Sequence, residues 1–192
     1  MKLVNKNIYH VYNRGINREN LFPVRDNYLY FKRKLKKFLI PNCNLLCYCL
    51  MPNHFHLMIY TNDNFDASVL SSCIKTLLSS YTKAINKMFD RTGSLFQQNT
   101  KAKCLSDFKR ANEAHYPIIC FNYIHQNPMT AGFVKKMEDW EFSSFRGYVG
   151  LERDTLCSHQ IARDLLHLPE NIDEFYNLSY NSIDADKIKN LL

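Results

Sequence analysis

Apolar and polar positions alternate along the first part of the chain, and the period of that alternation changes several times. "NIYHVYNRG" (7–15) alternates with period two, is rich in β-branched and aromatic residues, and stops at Gly15, which predicts a first strand. Asp26 is placed to cap a helix running to about Ile40, with Tyr30, Leu35, Phe38 and Leu39 on its apolar face and Pro41 as its stop. "NLLCYCLMP" and "HFHLMIY" are two short β runs joined at Pro52-Asn53, hence a hairpin. From about Phe65 to Phe89 the apolar residues return at helical spacing (Val69, Leu70, Ile74, Leu77, Leu78, Tyr81, Ile85, Met88) and end before Arg91-Thr92-Gly93. "SLFQQNTKAKCL" (94–105) predicts a fourth strand with Lys101 and Lys103 on one face. The order β-α-β-β-α-β is an α+β class with ferredoxin-like topology, in which strands one and three form the central pair.

Beyond this unit, Ser106 is placed to cap a charged helical stretch reaching about His115. "YPIICFNYIHQNP" then predicts a helix that tolerates Pro117 in its first turn. It should end near Asn127, because a residue before proline is pushed out of the α region. The tail, with Pro169 and an acidic "PENIDEF", predicts small helices packed on the body. No repeat, Gly/Ser linker or low-complexity run marks a second independent domain.

At 192 residues the chain can bury one core with some decoration, and 46% hydrophobic content argues against disorder. No apolar run approaches the roughly 20 residues of a membrane helix. The N-terminus has no signal-peptide apolar region, so a cytoplasmic protein is expected. The seven cysteines are odd in number and form no C-x-x-C pair, which argues against a thiolate metal site; Cys47 and Cys49 read as small buried hydrophobes. The net charge of +7 is uneven: +8 over residues 1–60, +3 over 61–150 and −4 over 151–192. A basic body with an acidic tail suits a polyanionic partner, although ordinary solubility charge fits the total as well.

Two places carry candidate chemistry. His54 and His56 lie two apart in a strand, so they share a face while Phe55 points to the other and anchors the core. Two such imidazoles can converge on one divalent ion, or be two unrelated, hydrogen-bonded side chains. Tyr123 and Asn127 are four apart on a helix, hence on one face. The phenol could attack phosphorus and the amide oxygen could complete a metal site; equally, Tyr123 could be a core tyrosine and Asn127 a helix-ending residue. His125 projects from nearly the opposite side of that helix, which suits a structural hydrogen bond.

Five stretches, in order, resemble one family: "YHVYNRG" (9–15), "MPNHFHLMI" (51–59), "GSLFQQNTKAK" (93–103), "YIHQNPMTAGFV" (123–134) and "WEFSSFRGY" (140–148). The chain thereby resembles the single-tyrosine HUH transposases over residues 7 to about 150. Asn127, where insertion-sequence members more often have glutamine, makes it similar to the REP-associated tyrosine transposase branch. The resemblance implies a catalytic domain over 1–150 with a helical extension over 151–192. It implies cleavage of single-stranded DNA beside a hairpin through a 5′-phosphotyrosine, with Tyr123 as nucleophile and His54, His56 and Asn127 holding Mg²⁺ or Mn²⁺. A phosphotyrosine conserves the phosphodiester bond energy, which fits the lack of a P-loop motif. The partner expected is hairpin-forming single-stranded DNA, bound by a monomer or a homodimer.

For DNA contacts, "NRGINR" offers Asn13, Arg14, Asn17 and Arg18 around a glycine suited to close backbone approach; Lys101 and Lys103 come next, then Arg146 with Tyr148. The run "KRKLKK" (32–37) fits a solvated outer helix face as well as a DNA surface. Two rival readings share the fold. One is a catalytically inactive nucleic-acid-binding module, although the RRM aromatic pattern is missing. The other is a metal-dependent hydrolase using water, which would need no Tyr123.

Overall fold

The computed structural model describes residues 3–63, 65–106, 116–184 and 186. Its centre is a four-stranded antiparallel sheet of β1 (Ile8–Arg14), β2 (Asn44–Met51), β3 (His54–Tyr60) and β4 (Lys101–Cys104), in the order β2-β3-β1-β4. The central pair is β1 and β3, as the ferredoxin-like pattern predicts. Helices α1 (Arg25–Lys34) and α2 (Ala67–Met88) provide the crossovers.

Period-two alternation sorts the strands into two faces. Tyr9, Val11, Leu50, Phe55, Leu57 and Ile59 face a core closed by α1 and α2. Phe31 of α1 is fully buried there, among Phe22, Phe55, Tyr81 and Phe96. Phe55 is the anchor its place between the histidines suggests. The opposite face presents Leu46, Cys47, Cys49, Met51 and Met58 to α3 (Tyr116–Thr130), and then to α4 (Phe145–Tyr148), α5 (His159–Leu166) and α6 (Ile172–Ser179).

Several elements differ from their sequence patterns, each for a local reason. Helix α1 begins at Arg25 rather than after an Asp26 cap: the Asn27 side chain accepts from Val24 N–H at 3.1 Å, and Asp26 falls in the first turn. The helix does reach the proline, but by widening into a π turn over Leu35–Leu39 and a 3₁₀ turn over Ile40–Asn42. Helix α2 is capped by Asp66, whose carboxylate accepts from Ser68 and Val69 N–H. Strand β4 is only four residues long. Residues 95–97 still lie beside the end of β1 through Ile16 N–H to Leu95 O and Gln97 N–H to Arg14 O, but residues 97–100 bow outward. Ser106 accepts from Ile8 N–H at 2.7 Å; the helix expected beyond it lies outside the described residues.

Helix α3 does not end at Asn127. It runs through Pro128 to Thr130, because a proline in the last turn removes a single donor, and Ala131 N–H still reaches Asn127 O at 2.9 Å. This helix is buried nearly all round. Its outer side is held by α6, with Asn122 donating to Leu178 O and Gln126 to Ser179 O and Asn181 O. The C-terminal helices therefore clamp the element that carries Tyr123 and Asn127.

Gly15 has an ordinary φ of −61°, yet a Cβ there would lie 2.1 Å from the Glu19 carbonyl oxygen. The glycine accommodates the chain's own backbone at Glu19. A Gly15→Ala variant should lose about 2–4 kcal/mol, read as a lowered urea midpoint, since a backbone atom cannot simply move aside.

Candidate active site

Strand pairing and helix packing bring His54, His56, Tyr123 and Asn127 together. His54 and His56 point to the α3 face, with ring centroids 5.0 Å apart and nearly perpendicular planes. Above them α3 leaves one partly open seam, and Tyr123 and Asn127 lie in it. Tyr123 meets His56 edge to face at 5.5 Å. Asn127 reaches both imidazoles: Oδ1 is 3.3 Å from His54 Nε2, and Nδ2 is 3.4 Å from His56 Nε2. The same side chain also acts on the Tyr123 phenol, favouring its charged form. A cavity of about 260 Å³ opens onto this group, lined also by Tyr12, Arg14 and Lys101.

The donor set suits a divalent cation. Asn53 Oδ1 lies 2.7 Å from His54 Nδ1, so Nδ1 carries the ring's proton. Burial lowers the His54 pKa against an opposing pull from Asn127, with Arg14 adding to the lowering, so the ring is neutral at pH 7 and Nε2 holds only a lone pair. That lone pair faces a carbonyl oxygen, and two acceptors aimed at each other leave room for a cation that would satisfy both. His56 is buried and its pKa is held well below the usual range, by burial first and then by His10 and His54. Two imidazole nitrogens and one amide oxygen form a donor set of the kind that holds a divalent cation.

Tyr123 is half-buried. Burial pushes its phenol up, whereas the Asn127 hydrogen bond and the Arg14 charge pull it down. His125, by contrast, is fully buried with Nε2 2.8 Å from Ser144 Oγ, and burial lowers its pKa to about 3. It is the structural histidine its side of the helix suggests. Ser144 also bonds Tyr48 N–H and Tyr48 O, while Trp140 donates to Leu50 O, so the 140–145 segment seals the edge of β2.

His10 is a site residue that the sequence pattern did not single out. It pairs with Met58, which sets its ring diagonally beside His56, and its Nε2 lies 2.8 Å from His56 Nδ1. That contact orients His56 so that Nε2 points toward Asn127. A His10→Ala variant should bind Mn²⁺ about 10–100-fold more weakly by calorimetric titration, the usual effect of removing a partner behind a ligand.

The expected DNA contacts separate into groups. Arg14 and Lys101 line the site cavity, and Lys103 follows Lys101 on the same face, paired with His10. Asn17 and Arg18 are exposed, both with left-handed backbone (φ 51° and 60°), and lie outside that cavity. Asn13 is buried: its amide donates to Gln97 O and Thr100 Oγ1 and pins the bowed segment. Arg146 is occupied elsewhere, donating to Glu138 O and paired with Glu152. Lys32 of the basic run also meets Glu152, at 3.2 Å.

Among the described residues, one Asp/Cys/His group has ligand atoms within 4.8 Å of one another: Asp154, Cys157 and His159. It lies at the far end of β2 from His54, where Cys157 bridges to Leu45, and its His159 and Asp154 satisfy each other at 3.3 Å. No helix among the described residues is long and apolar enough to cross a membrane.

No curated protein matches the chain by sequence. Among solved structures, that of a REP-associated tyrosine transposase bound to a REP hairpin is similar, with a TM-score of 0.59 and 18% identity. The match covers 79% of this chain and 86% of the other, and at that identity it is a likeness of fold. The profile of the family described as "Transposase IS200 like" matches residues 3–126. That stretch takes in β1 to β4 and α3 as far as Gln126, Tyr123 included, so this chain belongs to the IS200-like transposase family.

Proposed function

We propose that the protein nicks and rejoins single-stranded DNA beside a hairpin, with Tyr123 as nucleophile and a divalent metal held by His54, His56 and Asn127. The observation that carries this reading is the convergence of the two Nε2 atoms on the Asn127 amide, beside the Tyr123 ring that meets His56 at 5.5 Å. Oη of Tyr123 attacks the scissile phosphorus, forming a tyrosine–phosphate ester as the bond to the 3′-oxygen breaks. The phenol gives its proton to solvent, and the departing oxygen takes one to become a 3′-hydroxyl. Attack of a 3′-hydroxyl on the phosphotyrosine reverses these steps and rejoins DNA, so no nucleotide cofactor is consumed.

Each residue has a distinct task. A phenol with pKa near 10 is mostly protonated at neutral pH, so Asn127 and Arg14 favour the phenolate against the burial that opposes it. Arg14 and Lys101 line the cavity as cations suited to the phosphate backbone. The metal, when bound, polarises the phosphate oxygens and stabilises charge on the leaving oxygen. His10 and Asn53 hold the histidines in their ligating orientation. The fold likeness to a hairpin-bound transposase supports a hairpin as the partner.

The test is incubation with hairpin-containing single-stranded DNA from the gene's flanks, with Mn²⁺ or Mg²⁺, followed by a denaturing gel. A protein–DNA adduct that depends on the metal supports the reading. Cleavage without an adduct would point instead to water as nucleophile, and binding without cleavage to an inactive module.

A further inference from the structure

The bowed 97–100 segment has two sides, and the site cavity occupies one. On the other side, between the segment and α2, lies a larger cavity of about 600 Å³. Its α2 wall presents Lys75, Ser79 and Lys83 at four-residue spacing, the same-face repeat of a helix. The facing wall is the bowed segment, with the amides of Gln97, Gln98 and Asn99 exposed. The floor is apolar, made by Ile74, Leu78, Leu95 and Phe96. No acidic side chain is among the described residues that line it.

Three observations identify the occupant. First, the two cavities adjoin: Asn13, Gln97 and Asn99 line both. Second, the cations here meet no carboxylate among the described residues. Arg25, Lys32, Arg91 and Arg146 each meet a carboxylate, whereas neither Lys75 nor Lys83 has an ion-pair partner among the described residues. They are about 12 Å apart along the helix axis, a span that a few nucleotides cover. Third, an apolar floor beside an amide-bearing wall matches an unstacked base, with a π-face and hydrogen-bonding edges. A duplex keeps its base faces stacked and would present none to that floor. A cavity of about 600 Å³ is also of small-ligand size.

We propose that this α2 cavity holds unpaired nucleotides of the DNA strand being cut, next to the scissile phosphate, with Lys75 and Lys83 on phosphates and the Gln97–Asn99 amides on base edges. The inference rests on reading the site cavity as the place of strand cleavage. It makes the bowed segment a ridge that the strand crosses between the two cavities, and gives the interruption of β4 a purpose.

Two measurements on the full chain test it. A randomised single-stranded oligonucleotide pool carrying thiothymidine is photo-cross-linked to the protein, and the linked peptides are mapped by mass spectrometry. In parallel, Lys75→Ala/Lys83→Ala is compared with wild type for binding the single-stranded pool and a duplex of matched composition. Cross-links should fall within 71–86 and 97–100. The double variant should bind the single strands about tenfold more weakly at low salt, with a log-affinity salt slope shallower by about 1.4, or 0.7 per phosphate contact, and unchanged duplex binding. Cross-links elsewhere, or equal effects on single strand and duplex, overturn the proposal. If Tyr123 still forms its adduct while these tests fail, the cleavage reading stands and the α2 cavity does not. If cross-links map to the cavity but no adduct forms, the cleavage reading falls, and with it the placement beside a scissile phosphate.

Discussion

A Tyr123→Phe variant should form no covalent adduct with cleavable single-stranded DNA, and its cleavage rate should fall by about 10⁴-fold or more, as when a nucleophile is deleted from a concerted site. Its DNA affinity should be nearly unchanged. The substitution removes one oxygen and leaves the ring where it meets His56 edge to face at 5.5 Å. Tyr123 is half-buried against the site cavity, so the loss of one hydroxyl costs the fold little. A variant that still cleaves at the wild-type rate would transfer the reaction to water and favour the hydrolase reading. Rate and affinity measured on the same hairpin substrate keep the two effects apart.

Removing either histidine should abolish metal-dependent cleavage, but the two variants should part company in stability. His54 is partly open to solvent, and its Nδ1 is held only by the neighbouring Asn53. His54→Ala should therefore cost less than about 1 kcal/mol, the range of surface changes. His56 is buried, and its Nδ1 is 2.8 Å from Nε2 of the fully buried His10. Its loss leaves a buried nitrogen without that partner, about 1–3 kcal/mol, and adds a cavity beneath α3. Urea midpoints should thus separate the variants, while Mn²⁺ titration should show both unable to bind. Mn²⁺ binding retained by His54→Ala would remove it from the ligand set, and equal stability losses would contradict the different surroundings of the two rings.

Much of this arrangement is local and so was readable in order. The two-residue period puts His54 and His56 on one face and Phe55 on the other, because successive strand side chains alternate regardless of what they pack against. The four-residue spacing puts Tyr123 and Asn127 in one seam for the same kind of reason. The hairpin at Pro52-Asn53 and the long α2 followed from turn chemistry and helical periodicity.

What local pattern cannot carry is which residue lies across from which. His10 joins the site only through the register that pairs it with Met58, fixed by the burial of both sheet faces. Asn13 and Arg146 look like free polar residues in the sequence. One is consumed pinning the bowed segment, and the other is taken by Glu138 and Glu152. Pro128 argues for a helix end, yet α3 continues because α6 and the sheet hold it on both sides and only one donor is missing. The sequence alone determined the fold class and the four groups that could do chemistry. Tertiary packing decided that those groups meet, which histidine stands behind them, and where the bowed segment opens a second cavity, since each depends on contacts between residues far apart in the chain.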